Sequence, residues 1–395
     1  MNQFLLTDEV QDWLFENIGR DSREVSLKKS IFKNISSSEL AGQLKGLQIA
    51  KYKFRFLFDN KQIYYPPTIN LEQSSSQTTA EYKSNLVSGK LLIDLTAGMG
   101  TDAYFFSKNF DKVIAIERNP ELAEISEYNY NRLGCSNLEY VNSDFKKFLN
   151  ENPNLKPDLI YLDPSRRNSS GRKFLIEELE PDLNIWMDRL IQISGKVMVK
   201  LSPLSDLSSL IEKFHQITEI HPVAVKNEMK ELLLICEINS NQNPKIKAVN
   251  LESSQTDFEF HFDDEKTVES QFSDPEKYIY EPNSAVMKSG GFKLIGQKFN
   301  LNKLEKNTHL YTSDRLVKEF PGRIYQVLEE IKDLKKEISN KAFHLISRNY
   351  PISADEIRKK YRLKQSEEES LIFTKSISGK KVLRSKILTF DRENR

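Results

Sequence analysis

Several residue types are scarce in this 395-residue chain, and their scarcity argues against several classes of protein. The two cysteines, Cys135 and Cys236, suggest neither a disulfide framework nor a metal-binding pair of the usual spacing. The five histidines are scattered and form no metal-type cluster in the sequence. No apolar run approaches the roughly 18 residues of a membrane span, and the stretch MNQFLLTDEVQDW lacks the features of a signal peptide. We therefore expect a cytoplasmic protein without metal or membrane contact.

The charge is unevenly distributed along the chain, although the net charge is only +1. Residues 341–395 contain 14 Lys or Arg against 7 Asp or Glu, so the body before them is mildly acidic. A basic C-terminal region is typical of proteins that bind a polyanion. A solvated basic face without any partner explains the charge equally well.

Apolar spacing divides the chain into regions, and a chain of this length is expected to hold two to four domains. Helical periodicity over residues 1 to about 60 predicts a small helical domain whose first helix is capped by Asp8. After a turn-rich connector, a short helix is expected to begin at Thr78 or Thr79. Short apolar strands then alternate with helices, as in a parallel sheet covered on both faces; they are predicted at 91–95, 113–117, 138–141, 159–162 and 197–200.

The remaining pattern is less regular. The predicted strands 220–225 and 231–238 are separated by too few residues for a crossover helix, so they should be antiparallel. Alternation at 258–262 predicts a β-hairpin, and a long charged helix is expected from about Gly322 to Ser339. Further on, the sequence predicts a helix with a capping box of Ser353 and Glu356, followed by strands 371–376 and 381–388.

The strongest chemical signal is the segment LLIDLTAGMGTDAYFF, residues 91–106. A buried strand ends at Asp94 and runs into Gly98-Met99-Gly100, after which a helix begins. Glycine permits positive φ and a close approach of the backbone to a ligand, and open α/β sheets bind ligands at the carboxyl ends of their strands. Gly98, Gly100 and Ala103 also fit the dinucleotide pattern G-x-G-x-x-A. We interpret the loop as ligand-binding, with a structural tight turn as the alternative.

Acidic residues follow the next two strands. Glu117 lies about 20 residues beyond the loop, where a carboxylate can accept hydrogen bonds from ribose hydroxyls. Asp144 follows the third strand, where it is placed to recognise an adenine amino group. Both nicotinamide dinucleotides and S-adenosylmethionine carry such a ribose, and exposed strand-end acids are the structural alternative.

The segment Asp163-Pro164-Ser165-Arg166 distinguishes between these cofactors. It resembles the [Asp/Asn]-Pro-Pro-[aromatic] motif of amino-group methyltransferases, in which the acid and a backbone carbonyl orient the target amine. Positioning can supply much of the rate of an in-line methyl transfer. Here a serine replaces the second proline and Arg166 replaces the aromatic residue that would stack on a flipped base. Arginine can also stack, contact phosphate or form a surface ion pair, so the acceptor atom stays open.

Together these motifs are similar to the trimethylguanosine-synthase-like branch of class I S-adenosylmethionine-dependent methyltransferases. They resemble still more closely a bacterial family of such enzymes that carries C-terminal ferredoxin-like and THUMP-like domains. Residues 278–292, 307–314 and 320–323 resemble the ferredoxin-like segment, and IRKKYRLKQ with the strands up to Leu388 resembles the THUMP-like domain. The resemblance implies an α/β fold, with a doubly wound seven-stranded Rossmann-like sheet, an N-terminal helical domain and C-terminal α+β domains. The domains expected are 1–85, 86–240, 241–322 and 323–395.

The resemblance also implies S-adenosyl-L-methionine as cofactor and RNA as partner. Its catalytic residues would be Asp163, Pro164, Ser165 and Arg166. The cofactor would be bound by Gln73, Thr79, Asp94, Thr96, Ala97, Gly98, Gly100, Asp102, Glu117, Arg118, Asp144, Phe145 and Asp163. The function expected is methyl transfer to RNA. The alternatives are a methyltransferase for protein or small molecules, a cofactor- or RNA-binding protein without turnover, and a nicotinamide enzyme.

Overall fold

The computed structural model describes residues 1–166, 176–238 and 243–389, and of Arg166 it describes the backbone alone. The chain forms two compact units, one of Met1–Ser205 with Leu234–Ser240 and the other of Asp206–Leu233 with Asn241–Arg395. Over the described ranges, no helix has the length and apolar character that crossing a membrane requires.

The helices α1 to α16 are, in chain order, Asp8–Glu16, Ser22–Leu27, Ser37–Lys53, Arg55–Phe58, Thr68–Gln73, Gln77–Ser84, Thr101–Phe106, Pro120–Arg132, Phe145–Glu151, Leu183–Ser194, Leu207–Lys213, Asp264–Thr267, Ser284–Ser289, Leu294–Phe299, Leu334–Glu337 and Ala354–Tyr361. The strands β1 to β18 are Gly89–Asp94, Phe110–Glu117, Leu138–Asn142, Leu159–Leu162, Ser165–Arg166, Leu179–Glu180, Lys196–Leu201, Ile217–Val225, Glu228–Glu237, Lys245–Leu251, Phe258–His261, Tyr278–Pro282, Asn302–Glu305, Thr308–Ser313, Gly322–Glu330, His344–Ser347, Ser370–Ser376 and Gly379–Leu388. Short 3₁₀ turns lie at Gln3–Leu6 and Ile176–Glu178.

The first unit is built on a parallel sheet whose strand order is β3-β2-β1-β4-β7. These are the five predicted parallel strands, and most of their residues are buried, as expected of a sheet with helices on both faces. The strand order reverses between β1 and β4, so a crevice opens there at the carboxyl ends of the strands. The α/β fold expected from the sequence is confirmed.

The predicted strand pair after this sheet is also present. Strands β8 and β9 are neighbours, and Lys226 and Asn227 connect them with φ angles of 51° and 67°. Two consecutive positive φ angles are typical of a type I′ hairpin turn, and a two-residue connection requires antiparallel strands. The order β3-β2-β1-β4-β7-β9-β8 supplies the seven strands that were expected.

Two further strands extend this sheet to nine. Strand β10 pairs in parallel with β8 and antiparallel with β11, so the hairpin predicted around residues 258–262 exists as an addition to the sheet. Ala248, Val249 and Phe258 are buried there. Pairing with β8 covers a strand edge that would otherwise expose unpaired backbone groups.

A second sheet of order β13-β14-β12-β15-β18-β17-β16 lies in the second unit. Here the prediction of a long helix from Gly322 to Ser339 is wrong, because residues 322–330 form β15 between β12 and β18. The aromatic and β-branched residues Ile324 and Tyr325 are buried in that sheet, and this pairing overrides the charged, helix-favouring end of the segment. The two late strands and the capping box of Ser353 and Glu356 are confirmed.

The N-terminal helices form a hydrophobic cluster that includes Leu14, Leu40, Leu44 and Leu47, as their spacing predicts. Two terminal details differ from prediction. Asp8 is the first residue of α1 and not its cap, which is Thr7 without a side-chain hydrogen bond. Helix α6 begins at Gln77 because the Ser76 hydroxyl accepts the amide hydrogen bond of Thr79.

The glycine after β1 yields a stability prediction. Gly100 has a φ of 78°, and a Cβ at this position would overlap the Tyr140 hydroxyl and lie 2.9 Å from Tyr130 Cε2. We expect Gly100→Ala to destabilise the protein by about 2–5 kcal/mol, from left-handed strain together with overpacking. The matched control is Gly134→Ala, which has a φ of 74° and open space around the Cβ. It should cost about 1–2 kcal/mol. Equal losses in thermal unfolding experiments would contradict the packing role of Gly100.

Candidate active site

A cavity of about 680 Å³ opens at the carboxyl ends of the parallel strands in the first unit. Four strands in a row, β1 to β4, each end in or are followed by an acidic residue that lines it. These residues are Asp94, Glu117, Asp144 and Asp163. The parallel register brings the strand ends to one edge, and so four carboxyl groups that are distant in sequence meet in one cavity.

The glycine loop forms one wall of this cavity. Gly98 has a φ of 55°, and a Cβ there would meet no atom within 4 Å, so the backbone is left open to a ligand. The Gly98 amide donates a hydrogen bond to Glu117 Oε2 over 3.0 Å, and the Asn119 amide donates to Oε1 over 2.7 Å. Each carboxylate oxygen keeps a further lone pair for a ribose hydroxyl. Glu117 is therefore fixed in place by the backbone.

Asp94 is the most deeply buried of the four acids, with 1% of its surface exposed. Its Oδ1 atom accepts a hydrogen bond of 3.0 Å from the Thr96 amide. Burial raises the pKa of this carboxyl well above its ordinary value, and the charges of Asp102, Asp163 and Glu117 add to the effect. The cavity edge therefore favours a positively charged ligand.

Asp102 is held by protein groups. Its Oδ2 atom accepts hydrogen bonds from the Ser75 and Tyr161 hydroxyls over 2.7 and 2.8 Å, and its Oδ1 atom lies 3.1 Å from Lys83 Nζ. Although burial opposes its charge, the fully buried Lys83 ammonium, with Lys200 and these hydroxyls, keeps the pKa of Asp102 below its ordinary value. This cluster fastens the segment before β1 to the start of α7.

The N-terminal region contributes directly to the cavity. Asn70, Gln73, Ser74 and Ser75, on α5 and the loop after it, form part of the lining. Met99 of the glycine loop lines the cavity and also belongs to the hydrophobic cluster of the N-terminal helices. The helical domain is thus part of the site. Of these four polar residues, the sequence identified Gln73 alone.

Most of the predicted site residues line the cavity: Gln73, Asp94, Thr96, Ala97, Gly98, Asp102, Glu117, Arg118, Asp144, Phe145, Asp163 and Ser165. Thr79 does not, because its hydroxyl lies within the cap of α6. Gly100 packs against Tyr140, and Pro164 is buried without lining the cavity. The side chain of Arg166 lies outside the described part of the chain. Asp144 has two roles, since its Oδ1 atom also caps α9.

The segment after β4 is positioned by its neighbours. The Asp163 amide donates a hydrogen bond of 2.6 Å to Thr96 Oγ1, and Lys200 Nζ lies 2.5 Å from Asp163 Oδ2. Strands β4 and β7 pair Leu162 with Val199, so the next residue of each strand comes side by side. Sequence reasoning missed Lys200. The signal was a lysine near the end of an otherwise apolar strand, but its partner depends on the strand pairing.

The short antiparallel pair β5–β6 adds another part of the wall. Ser165 pairs with Glu180, and both Glu180 and Pro181 line the cavity. These two residues lie 15 or more positions beyond Ser165, in a stretch without a recognisable motif, and the sequence did not reveal them.

The lining residues fit S-adenosylmethionine. Acidic side chains outnumber the one lining arginine, Arg118, which suits a cationic ligand, and the volume lies in the usual range for small-molecule sites. Gly98 leaves room for the ligand, and Glu117 and Asp144 offer acceptors for ribose hydroxyls and an adenine amine. When bound, this cofactor supplies an electrophilic methyl group on a sulfonium. In the described residues, no cluster of three His, Cys, Asp or Glu is arranged to hold a metal ion.

Comparison with known proteins agrees with this assignment. Residues 278–321 match the model of a ferredoxin-like domain, and residues 322–384 match the model of a THUMP domain-like family. The crystal structure of a proposed methyltransferase from Porphyromonas gingivalis W83 is 29% identical in sequence. The match covers 98% of this chain and 99% of the P. gingivalis chain, and its TM-score is 0.86.

Proteins related to this chain in sequence are also named as methyltransferases. An S-adenosylmethionine-dependent methyltransferase of Mycobacterium tuberculosis H37Rv is 20% identical over 317 residues, which are 78% of this chain and 84% of the relative. An RNA methyltransferase of Thermotoga maritima is 27% identical over 172 residues, which are 42% of this chain and 37% of the relative.

The fold and the cavity therefore define an S-adenosylmethionine-dependent methyltransferase with the class I strand order. In particular, its residues 278–384 match the ferredoxin-like and THUMP-like domains that the resemblance implies. The resemblance seen in the sequence motifs is thereby confirmed.

The raised pKa of Asp94 predicts how cofactor binding depends on pH. Since a proton and a cationic ligand compete for the same carboxyl, affinity for S-adenosylmethionine should fall as the pH drops through the raised pKa and recover above it. Asp94→Asn removes the titrating group and should flatten this dependence. Calorimetric titrations over a series of pH values are the measurement, with S-adenosylhomocysteine as the ligand that lacks the sulfonium charge. An unchanged pH profile in the Asn variant would contradict the assignment.

Proposed function

We propose that this methyltransferase transfers the methyl group to RNA in the cytoplasm, and that it is organised as the four domains expected from the sequence. The observation that carries the proposal is a cationic groove in the second unit. Its volume is about 1080 Å³, and Arg323, Arg348, Lys375 and Lys380 line it together with a single acid, Glu281. A groove with this charge balance suits a phosphate backbone.

Both arginines of the groove lie beside the acid Glu281. Arg348 donates hydrogen bonds from Nε and Nη2 to Glu281 Oε1 over 3.1 and 2.7 Å, and Arg323 Nη1 lies 3.9 Å from Oε2. Tyr325 also donates to Oε2 over 3.0 Å, and the Glu281 side chain is 7% exposed. A buried carboxylate thus fixes the Arg348 guanidinium by hydrogen bonds and attracts that of Arg323, and both groups remain about half exposed. Arginines fixed in this way can contact phosphate with little further loss of side-chain entropy.

The two lysines lie on the hairpin of β17 and β18. Lys375 and Lys380 are direct cross-strand partners, and both are exposed. Like charges at such a pair destabilise a sheet. Glu305 lies 3.6 Å from Lys375 and offsets part of the repulsion. A bound polyanion would offset the remainder, and this strengthens the case for a nucleic-acid phosphate.

The site of transfer supports the same function. Asp163 lines the cofactor cavity, and the motif around it resembles one that orients amines, the groups carried by nucleobases. The RNA methyltransferase name of the T. maritima relative and the THUMP-like match support the proposal further. An exposed nucleotide would enter the cavity, and Asp163 would accept a hydrogen bond from the acceptor group.

Neutralising the groove lysines tests the RNA contact. Lys375→Gln with Lys380→Gln should weaken binding of cellular RNA about tenfold near 100 mM salt, and should reduce the slope of log affinity against log salt by about 1–2. The buried Glu281 and its arginines stay intact in this variant. The matched control, Lys28→Gln with Lys29→Gln, removes two exposed lysines of the N-terminal helical region and should bind like the wild type. Equal RNA affinities for all three proteins would contradict the role of the groove.

Transfer itself is tested with labelled cofactor and RNA from cells that lack the gene. The wild-type protein should place label in a fraction that nuclease digests, and Asp163→Ala should reduce the rate at least 100-fold, because it removes the group that orients the acceptor. Asp111→Asn, an exposed acid near the opposite end of β2, is the control and should keep full activity. Label found in protein or small molecules, with unlabelled RNA, would overturn the proposal.

A further inference from the structure

The pairing of Lys200 with Asp163 has no counterpart in the motif seen in the sequence. The Lys200 side chain is 14% exposed, and its ammonium lies 2.5 Å from Asp163 Oδ2 at the carboxyl end of the sheet. The same ammonium acts electrostatically on Asp102. A mostly buried cation therefore lies behind the row of acids that lines the cofactor cavity.

We propose that Lys200 is a positioning and specificity-determining residue, which neutralises Asp163 so that the site accepts an uncharged nitrogen donor. This inference rests on the proposed function. It deepens that function by naming the acceptor as an uncharged N–H group of a nucleobase, in contrast to an ammonium.

The argument begins with the two oxygens of Asp163. Lys200 occupies Oδ2, while the backbone amide of Asp163 is tied to Thr96 Oγ1. Both contacts restrict the carboxylate, and Oδ1 is left as an acceptor at the cavity. A neutral amine can donate to Oδ1 without displacing Lys200, and the net charge of the pair stays near zero.

A cationic acceptor is disfavoured at Asp163, in contrast to a neutral one. An ammonium group would compete with Lys200 for the carboxylate and would add another positive charge beside the sulfonium of the cofactor. Repulsion between these like charges disfavours it. An unpaired carboxylate would instead attract such a group, and Lys200 removes that attraction.

In the transfer step, the acceptor nitrogen is therefore uncharged before it reacts. The nitrogen forms a bond to the methyl carbon as the carbon–sulfur bond breaks, and the sulfur keeps the electron pair as a neutral thioether. The nitrogen loses its proton to solvent water, which reaches the site because the Asp163 side chain is 31% exposed.

The charge balance can be measured without any acceptor. S-adenosylmethionine carries one more positive charge than S-adenosylhomocysteine, so the ratio of their affinities reports the local charge. Lys200→Met leaves Asp163 unpaired and should shift the ratio about tenfold toward S-adenosylmethionine. Asp163→Asn removes the negative charge beside Lys200 and should shift the ratio about tenfold the other way. The double variant should return near the wild-type ratio, and Lys200→Arg is the conservative control that should retain it.

These outcomes distinguish an electrostatic role of Lys200 from a purely structural one. If Lys200 only supports the fold, Lys200→Met will weaken both ligands together and leave the ratio unchanged, which overturns the proposal. If that variant does not fold, Asp163→Asn alone still tests the predicted direction. A ratio that moves toward S-adenosylmethionine in Asp163→Asn would also overturn it.

The acceptor class is tested by mass spectrometry of nucleosides from RNA methylated by the wild-type protein. A methyl group on a base nitrogen is the expected product. A 2′-O-methylribose, or methyllysine in a protein hydrolysate, would overturn the acceptor assignment. If no RNA takes label, the proposed function fails, while the affinity ratios still decide the role of Lys200.

Discussion

The arrangement of the site depends on the electrostatics of crowded carboxyl groups at one edge of a parallel sheet. Parallel strands bring their carboxyl ends together, and in this chain four successive strands place an acid there. Such a cluster is unfavourable unless cations and hydrogen-bond donors offset it. Buried lysines, hydroxyls and loop amides offset part of the charge, and a cationic cofactor supplies a further positive charge.

The donors come from different parts of the chain. Lys83 precedes the sheet, Lys200 ends a later strand, and the Gly98 amide belongs to the loop beside them. Because each one fixes a particular carboxylate, the acids are not equivalent. Asp102 is tied to the protein, Glu117 is held by backbone amides, and Asp163 is paired with a lysine. One edge of the sheet thus provides groups for anchoring, cofactor recognition and acceptor orientation.

Much of this site was predictable from the sequence, because the features that specify it are local. A buried strand followed by glycines, and an acid at the end of each of the next three strands, identify the cavity edge without knowledge of the tertiary structure. Lys200, Glu180 and the serines before β1 were not predictable, since their proximity depends on strand pairing and on how a distant segment folds over the loop. The error at residues 322–339 has a related cause. Charged residues suggested a helix, but Ile324 and Tyr325 are buried between two neighbouring strands.

Met99 has a consequence for how the protein responds to its ligand. This side chain lies in the hydrophobic cluster of the N-terminal helices and also lines the cofactor cavity. A ligand that orders the glycine loop should therefore also stabilise those helices against unfolding. Occupancy of the cavity should protect their amide hydrogens from exchange, at a distance from the methyl group that the enzyme transfers.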